Sequence, residues 1–489
     1  MELSSATPAG LPALKENLMR SRIFAFLTLA VLASSMVFAQ DQYTAYSVYT
    51  YDKCSTSNPC PNGRGMAGRI VDAGGSSVTA SPDMSPTATD KFTWNGDPIV
   101  QGFANSSNVP TIAVTDYTGT AGQPIRIYNA TNGSLDTTVT NGWSSVTNPY
   151  SLVTVGNYLY AIDYDSATVA EINPSTYAQT SSTPYTAPSV TVGNYTYKAY
   201  GQGLLNVNGT LYGLFSYYVY NSSTKTFTYY DSWLVKFNIN PGSSIVLNSV
   251  NPSFAANGFA LASTTINGTP YIYVASLGGQ QQGSSYNSGS VIQAVKASNI
   301  TATPTTVLQA GSTYPYNFYG ISFNGTTAYV LMGTYTGDFA STNGLLVQAT
   351  AGVNSKNAPT LTVNKTIDTI SSQAGYYWAA QFTPNNRLWE ARGNEIEVYD
   401  VSSSTPVIDA TLTLSSGSLL SSTDIAYDNI SNISYVDPVE KKTVAVRGYR
   451  SPFQVSHSPA LAAVRALTQG RPGLTTEEIN QLNNESNTK

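Results

Sequence analysis

The sequence predicts an all-β fold, a β-propeller of about seven four-stranded blades followed by a short helical tail. Three observations predict it. A tight turn between alternating apolar residues recurs along the chain, a second alternating strand follows each copy, and strand-like segments are left over at both ends.

The turn reads Val155-Gly156-Asn157-Tyr158, Val207-Asn208-Gly209-Thr210, Ile266-Asn267-Gly268-Thr269 and Phe323-Asn324-Gly325-Thr326, with a degenerate copy at Pro384-Asn385-Asn386-Arg387. Asn-Gly between alternating strands is a strong hairpin signal, because both central residues need φ > 0. Gly156, Gly209, Gly268 and Gly325 lie 53, 59 and 57 residues apart. That is longer than the roughly 40–45 residues of a WD40 blade, so the loops should be long.

The second element runs Ile125–Asn129, Val169–Asn173, Leu234–Asn238, Val291–Val295, Leu345–Ala349 and Ile396–Asp400. Each period then holds two inner strands joined by the turn, a third strand and an irregular fourth, which is the content of a propeller blade. The last blade is assembled from the ends. Asp424–Tyr427 and Ile433–Val436 read as inner strands, Arg69–Asp72 and Ser76–Thr79 as outer ones. Their pairing would close the ring and leave no bare edge at the junction. Rings of six or eight are also compatible with the spacing.

Asn129-Ala130-Thr131-Asn132-Gly133 and Ile172-Asn173-Pro174-Ser175-Thr176 follow third strands. They occupy the place of an Asp-x-x-Thr-Gly/Asn turn, and with it residues 91–436 resemble exported seven-bladed propellers with NHL-like or YVTN-like repeats. That group holds sugar lactonases, quinoprotein-like enzymes and surface-binding scaffolds, so the resemblance implies a fold without choosing a function.

Four segments follow: 1–39, 40–90, 91–439 and 440–489. Arg20 and Arg22 precede the apolar run Ile23–Leu32, and Val37-Phe38-Ala39 supplies small residues at the cleavage positions. This is a secretory signal, with Met19 where a bacterial signal would start and cleavage expected after Ala39. The run is too short for a membrane span, which needs about 20 residues. The protein is therefore expected to be secreted, periplasmic or held at the cell surface. Cys54 and Cys60 are the only cysteines. In an oxidising compartment they should form one small disulfide loop, and two thiolates alone do not fill a zinc shell.

Only 10% of residues are charged, against roughly 25% in ordinary soluble domains. Residues 40–439 carry 13 Lys and Arg against 22 Asp and Glu, a net of −9, and residues 440–489 carry 7 against 4, a net of +3. An acidic body argues against nucleic acid as a partner. The tail reads as two short helices, one begun at Ser458-Pro459 and stopped by Gly470, the other opened by the capping box Thr475–Glu478. Its basic excess suits docking on a partner or another copy, or capping the propeller.

The connections between second and third strands should share one face of the ring. Three are long and rich in Tyr, Ser, Gly and Asn: Ser216–Ser232, Ser276–Ser290 and Gly333–Gly344. Antibody loops use the same residues, because Tyr offers contact area at low entropic cost. Tyr217, Tyr218, Tyr220, Tyr229, Tyr230, Tyr286 and Tyr335 are the candidate contacts for a glycan, a peptide or a surface protein. Asp116, Asp163, Asp165, Asp231 and Asp338 fall in such loops, and Asp163 with Asp165 could ligate calcium, although Asp is also a common turn former. No cofactor is otherwise expected.

His457 is the only histidine and follows the repeats, which excludes a Ser-His-Asp triad or a His-ligated zinc within them. No residue is therefore assigned a catalytic role. The alternative to a binding module is an exported hydrolase or lactonase working through paired carboxylates.

Overall fold

The computed structural model describes residues 43–51, 64–72, 78–81, 92–93, 428–436 and most of 99–413. The propeller expectation holds, and so does the resemblance to propellers at the level of fold. The blade plan needs correction. Six blades form from consecutive strands, rather than seven alike.

Blade one is Ile99–Ala104, Pro110–Thr115, Ile125–Asn129 and Leu135–Val139; blade two is Pro149–Val155, Tyr158–Asp163, Thr168–Ile172 and Tyr185–Thr186. Blade three comprises Tyr195–Val207, Thr210–Asn221, Thr226–Asn240 and Ser244–Phe254, with Val190–Val192 added as a fifth strand beside the first. Blade four is Gly258–Ile266, Thr269–Ser276, Val291–Lys296 and Thr305–Gln309. Blade five is Asn317–Asn324, Thr327–Tyr335, Ser341–Val353 and Pro359–Ala374, and blade six is Trp378–Thr383, Arg387–Arg392, Glu395–Asp400 and Val407–Thr413.

The place between blades six and one is taken by a sheet of different make. Asp428–Val436 pairs with Tyr43–Tyr51, which pairs with Arg64–Asp72; that strand in turn carries Val78–Ser81 and Phe92–Thr93. One strand from the C-terminal end thus meets four from the N-terminal side, where two and two were expected. The reason is Tyr43–Tyr51, whose alternating Tyr, Ala, Val and Thr make it a strand in its own right. Residues 424–427 lie outside the described residues. Asp428–Val436 touches the first strands of both blade six and blade one, so the circle is complete.

The expectation of a helical tail is not supported. The one helical element among the described residues is a 3-10 turn at Ala297–Asn299, and residues 440–489 lie outside them, as do the signal segment, Cys54, Cys60 and His457.

Why these strands read as nearly continuous apolar runs follows from burial on both faces. Thr168–Ile172 is buried at every position. Each core is shared by neighbouring blades: Phe103 and Ile127 with Leu159 and Ala161, Leu214 and Leu234 with Ile272 and Val274, Tyr273 and Ala275 with Phe318 and Val330, and Leu331 and Leu346 with Leu388 and Tyr399. The recurring turns take the backbone shape that their sequence demands. Asn208 and Gly209 have φ of 50° and 80°, and Asn267 and Gly268 50° and 77°. No heavy atom lies within 4 Å of a Cβ placed on Gly209 or Gly268, so backbone conformation alone favours glycine there.

Candidate functional site

Blade three is taller than its neighbours. Its first three strands have 13, 12 and 15 residues. The corresponding strands of blade four have 9, 8 and 6. The stretch expected to be a loop, 216–232, is the upper half of a hairpin whose strands pair up to Asn221 and Thr226. Its Tyr, Val, Thr and Phe residues favour a pleated, half-buried surface. Blade five is built likewise, with Ser341–Val353 paired along Pro359–Ala374. The blade four connection does run from Ser276 to Val291.

Alternation sorts the upper part of blade three into two faces. On one, Tyr200 stacks on Tyr218 with centroids 3.8 Å apart and planes 1° apart. The row continues through Tyr164 to Tyr150 of blade two at 5.1 Å steps, and outward from Tyr218 to Phe227 and Tyr229 at 5.4 and 5.6 Å. Tyr220 closes it, 4.7 Å from Phe227. The Lys198 ammonium lies 5.1 Å from the Tyr200 ring centroid on the same face, a cation–π contact. The hydroxyls of Tyr164 and Tyr218 are 2.8 Å apart.

The other face carries Tyr195, Tyr197, Tyr217 and Tyr230. Tyr197 stands 5.3 Å from Tyr230 and 6.1 Å from Tyr195. Tyr217 packs on Trp233 at 4.9 Å. Tyr195 is 50% exposed and Val192, paired with it across the sheet, 43%.

The candidate tyrosines therefore divide. Tyr217 and Tyr218 are buried and support the hairpin from within, whereas Tyr220, Tyr229 and Tyr230 are half-buried near its tip. Tyr286 is half-buried against the core shared by blades four and five. Tyr335 ends the second strand of blade five, and its side chain is outside the described residues. Burial pushes the phenols of Tyr164 and Tyr218 far above their ordinary range, and raises Tyr200 to about 12. A neutral phenol is what a desolvated site retains. Tyr164, Tyr195, Tyr197 and Tyr200 were not singled out from sequence. For Tyr195 and Tyr197 the alternation Tyr195-Thr196-Tyr197-Lys198 was the local signal.

Asp163 is buried, and its carboxylate holds a turn. One oxygen accepts the Asn148 N–H and the other the Ser166 N–H, both at 2.6 Å. Asp165 accepts from the Asn148 side-chain amide at 3.0 Å. Of the other loop acids, Asp231 is exposed, and Asp116 and Asp338 lie outside the described residues.

A different acidic group comes together in the structure. Carboxylate oxygens of Asp368, Glu390 and Glu397 lie within 4.8 Å of one another. Glu390 and Glu397 are cross-strand partners in blade six, both buried, and Asp368 reaches them from the outer strand of blade five. The Tyr399 hydroxyl donates to Glu397, and burial, then the nearby carboxylates, drives that phenol upward. Such oxygens are the donor type that a hard cation takes. Strand pairing, invisible in the separate sequence segments, brings them together.

No family model matches the chain, and no curated protein matches it. Solved structures do resemble it. One, from Bacteroides fragilis, is provisionally called a 6-phosphogluconolactonase; it is 12% identical, with 81% of this chain and 98% of that one covered and a TM-score of 0.48. The extracellular domains 1–2 of Drosophila Semaphorin 1a are 10% identical over 76% of this chain and 86% of theirs, at 0.40. The Dos1 propeller is 10% identical over 71% and 81%, at 0.37. What is shared is the β-propeller fold, and the likeness goes no further.

Proposed function

We propose that this is an exported binding protein that engages a surface partner through the propeller face on which second-to-third-strand connections emerge. The height of blade three carries the reading. Its hairpin extends beyond the neighbouring short strands, and its aromatic rings run from the buried Tyr164 and Tyr218 to the half-buried Tyr220, Phe227 and Tyr229. Aromatic area left partly open at the end of a well-packed row is the usual composition of a contact surface. Export rests on the basic and apolar pattern of residues 20–39.

The hydrolase alternative needs two carboxylates that a substrate can reach. Among the described residues the convergent group is Asp368, Glu390 and Glu397, and its two glutamates are buried.

The test shortens the hairpin. Tyr220 pairs with Phe227 and Val219 with Thr228, so residues 220–227 can be replaced by Asn-Gly while Val219 stays opposite Thr228. Source cells are fractionated, and binding of the mature protein to washed cells is compared with that of the shortened variant. Loss of attachment at unchanged thermal stability is expected. Unchanged attachment overturns the proposal.

A further inference from the structure

Resting on that reading, we infer that the Tyr195 face of blade three takes a neutral glycan, by stacking sugar rings on Tyr195 and Tyr230.

Among the described residues that line it, the face is aromatic and carries no carboxylate, ammonium or guanidinium. Val192, Tyr195, Tyr197 and Tyr230 line it, with Tyr217 beneath. Lys198 lies on the opposite face, over Tyr200. A cationic ligand would find no carboxylate among these residues, and an anionic one no ammonium or guanidinium. The whole chain carries a formal net charge of −5, which further disfavours an anion. Neutral ligands remain.

Shape then favours a sugar over a peptide. A peptide that binds by strand addition gains its affinity from main-chain hydrogen bonds to an open edge. Here the edge of the first strand beside Tyr195, Thr196 and Tyr197 is covered by Val190–Val192, a strand of three residues. A strand so short blunts the edge for further pairing. What stays accessible is ring surface. The C–H face of a pyranose matches such a ring, while its hydroxyls remain in water or bond to phenols. Tyr197 is buried between Tyr195 and Tyr230 and fixes their spacing. A rigid pair of rings loses little entropy on binding.

The mature protein is assayed on cellulose and chitin, and by gel retardation in soluble xylan, with polygalacturonate as the charged counterpart and poly-L-proline as the peptide probe. Retention by at least one neutral polysaccharide is expected, persisting at about 1 M salt, where exposed charges are screened. Tyr195→Ala should weaken it about tenfold or more, the effect of removing a binding hot spot, with Tyr195→Phe close to wild type. Val246→Ala, an exposed position on the outer strand of the same blade, should bind normally. Failure to bind any neutral polysaccharide, binding abolished by salt, indifference to Tyr195→Ala, or capture of poly-L-proline in place of sugar would each overturn the inference. If shortening the hairpin abolishes attachment to cells while no neutral polysaccharide binds, the wider binding reading stands and only the glycan assignment falls. If shortening changes nothing, both fall.

Discussion

The hydroxyl oxygens of Tyr164 and Tyr218 meet at 2.8 Å in the interior, joining blade two to the tall hairpin of blade three. Both rings are almost wholly buried, so neither phenol can turn to water instead. Tyr164→Phe deprives Tyr218 of this partner, with the stacked Tyr200 phenol still beside it, and should cost about 0.5–1.5 kcal/mol, the ordinary contribution of one hydrogen bond. The double variant Tyr164→Phe/Tyr218→Phe should lose less than the sum of the two single changes. A double-mutant cycle by urea unfolding measures the coupling.

Gly258 opens blade four and is held by two serines of blade three. Its N–H donates to the Ser232 hydroxyl at 2.7 Å, and its carbonyl accepts from Ser216 at 2.5 Å. Ser232→Ala should lower stability by about 1–3 kcal/mol, because the buried N–H loses its acceptor.

Gly201 is the tighter of two glycine contacts. A Cβ there would stand 2.4 Å from the Asp163 carbonyl oxygen, which is backbone, while one at Gly258 would stand 2.9 Å from the Ser232 hydroxyl. Gly201→Ala should therefore destabilise more than Gly258→Ala, at or above the top of the ~1–3 kcal/mol range for overpacking. Thermal unfolding of the two variants gives the order.

The buried tyrosines predict loss of stability in alkali. Burial raises Tyr200 to about 12, above the ordinary phenol value of about 10. Below pH 10 the phenols are neutral in both the folded and unfolded chain. Between 10 and 12 the unfolded chain ionises first and binds fewer protons, so stability falls by about 1.4 kcal/mol per pH unit per group. Absorbance at tyrosinate wavelengths should lag behind exposed tyrosine until unfolding, then rise with it. Early, complete ionisation in the folded state contradicts the burial.

Truncation separates residues 1–39 from the closing strand. A chain beginning at Gln40 should retain the thermal midpoint of the full chain. One beginning at Asp52 removes Tyr43–Tyr51, the strand to which Asp428–Val436 is paired. Its midpoint should fall, and limited proteolysis should begin near residue 428.

Local signals made much of this legible in advance. Asn208-Gly209 and Asn267-Gly268 take the positive φ that Asn-Gly implies, and third strands fall where Ile125–Asn129 and Val291–Val295 were expected. The six recognised copies of that element are the six blades of consecutive strands. Ser216–Ser232 lacks the apolar–polar alternation that marks a half-buried strand, because tyrosines lie on both of its faces, Tyr217 and Tyr230 on one and Tyr218 and Tyr229 on the other. Tyr43–Tyr51 carries its own strand signal, but its pairing with Asp428–Val436 is recorded in no local pattern. Exposure was also hidden: Tyr217 and Tyr220, three residues apart on one strand, differ in burial through packing with Trp233 and Phe227, which no local pattern records. The trio Asp368, Glu390 and Glu397 depends on contact between blades five and six.

The sheet that joins the ends ties folding to completion of the chain. Tyr43–Tyr51 precedes every blade of consecutive strands, yet one of its neighbours, Asp428–Val436, follows them all. During synthesis that side of the early strand waits, open to wrong pairing, until the last one arrives. A product that stops short of residue 428 has no way to fill the gap. The architecture thereby inspects its own length, admitting finished molecules to the closed state and leaving incomplete ones exposed to proteases.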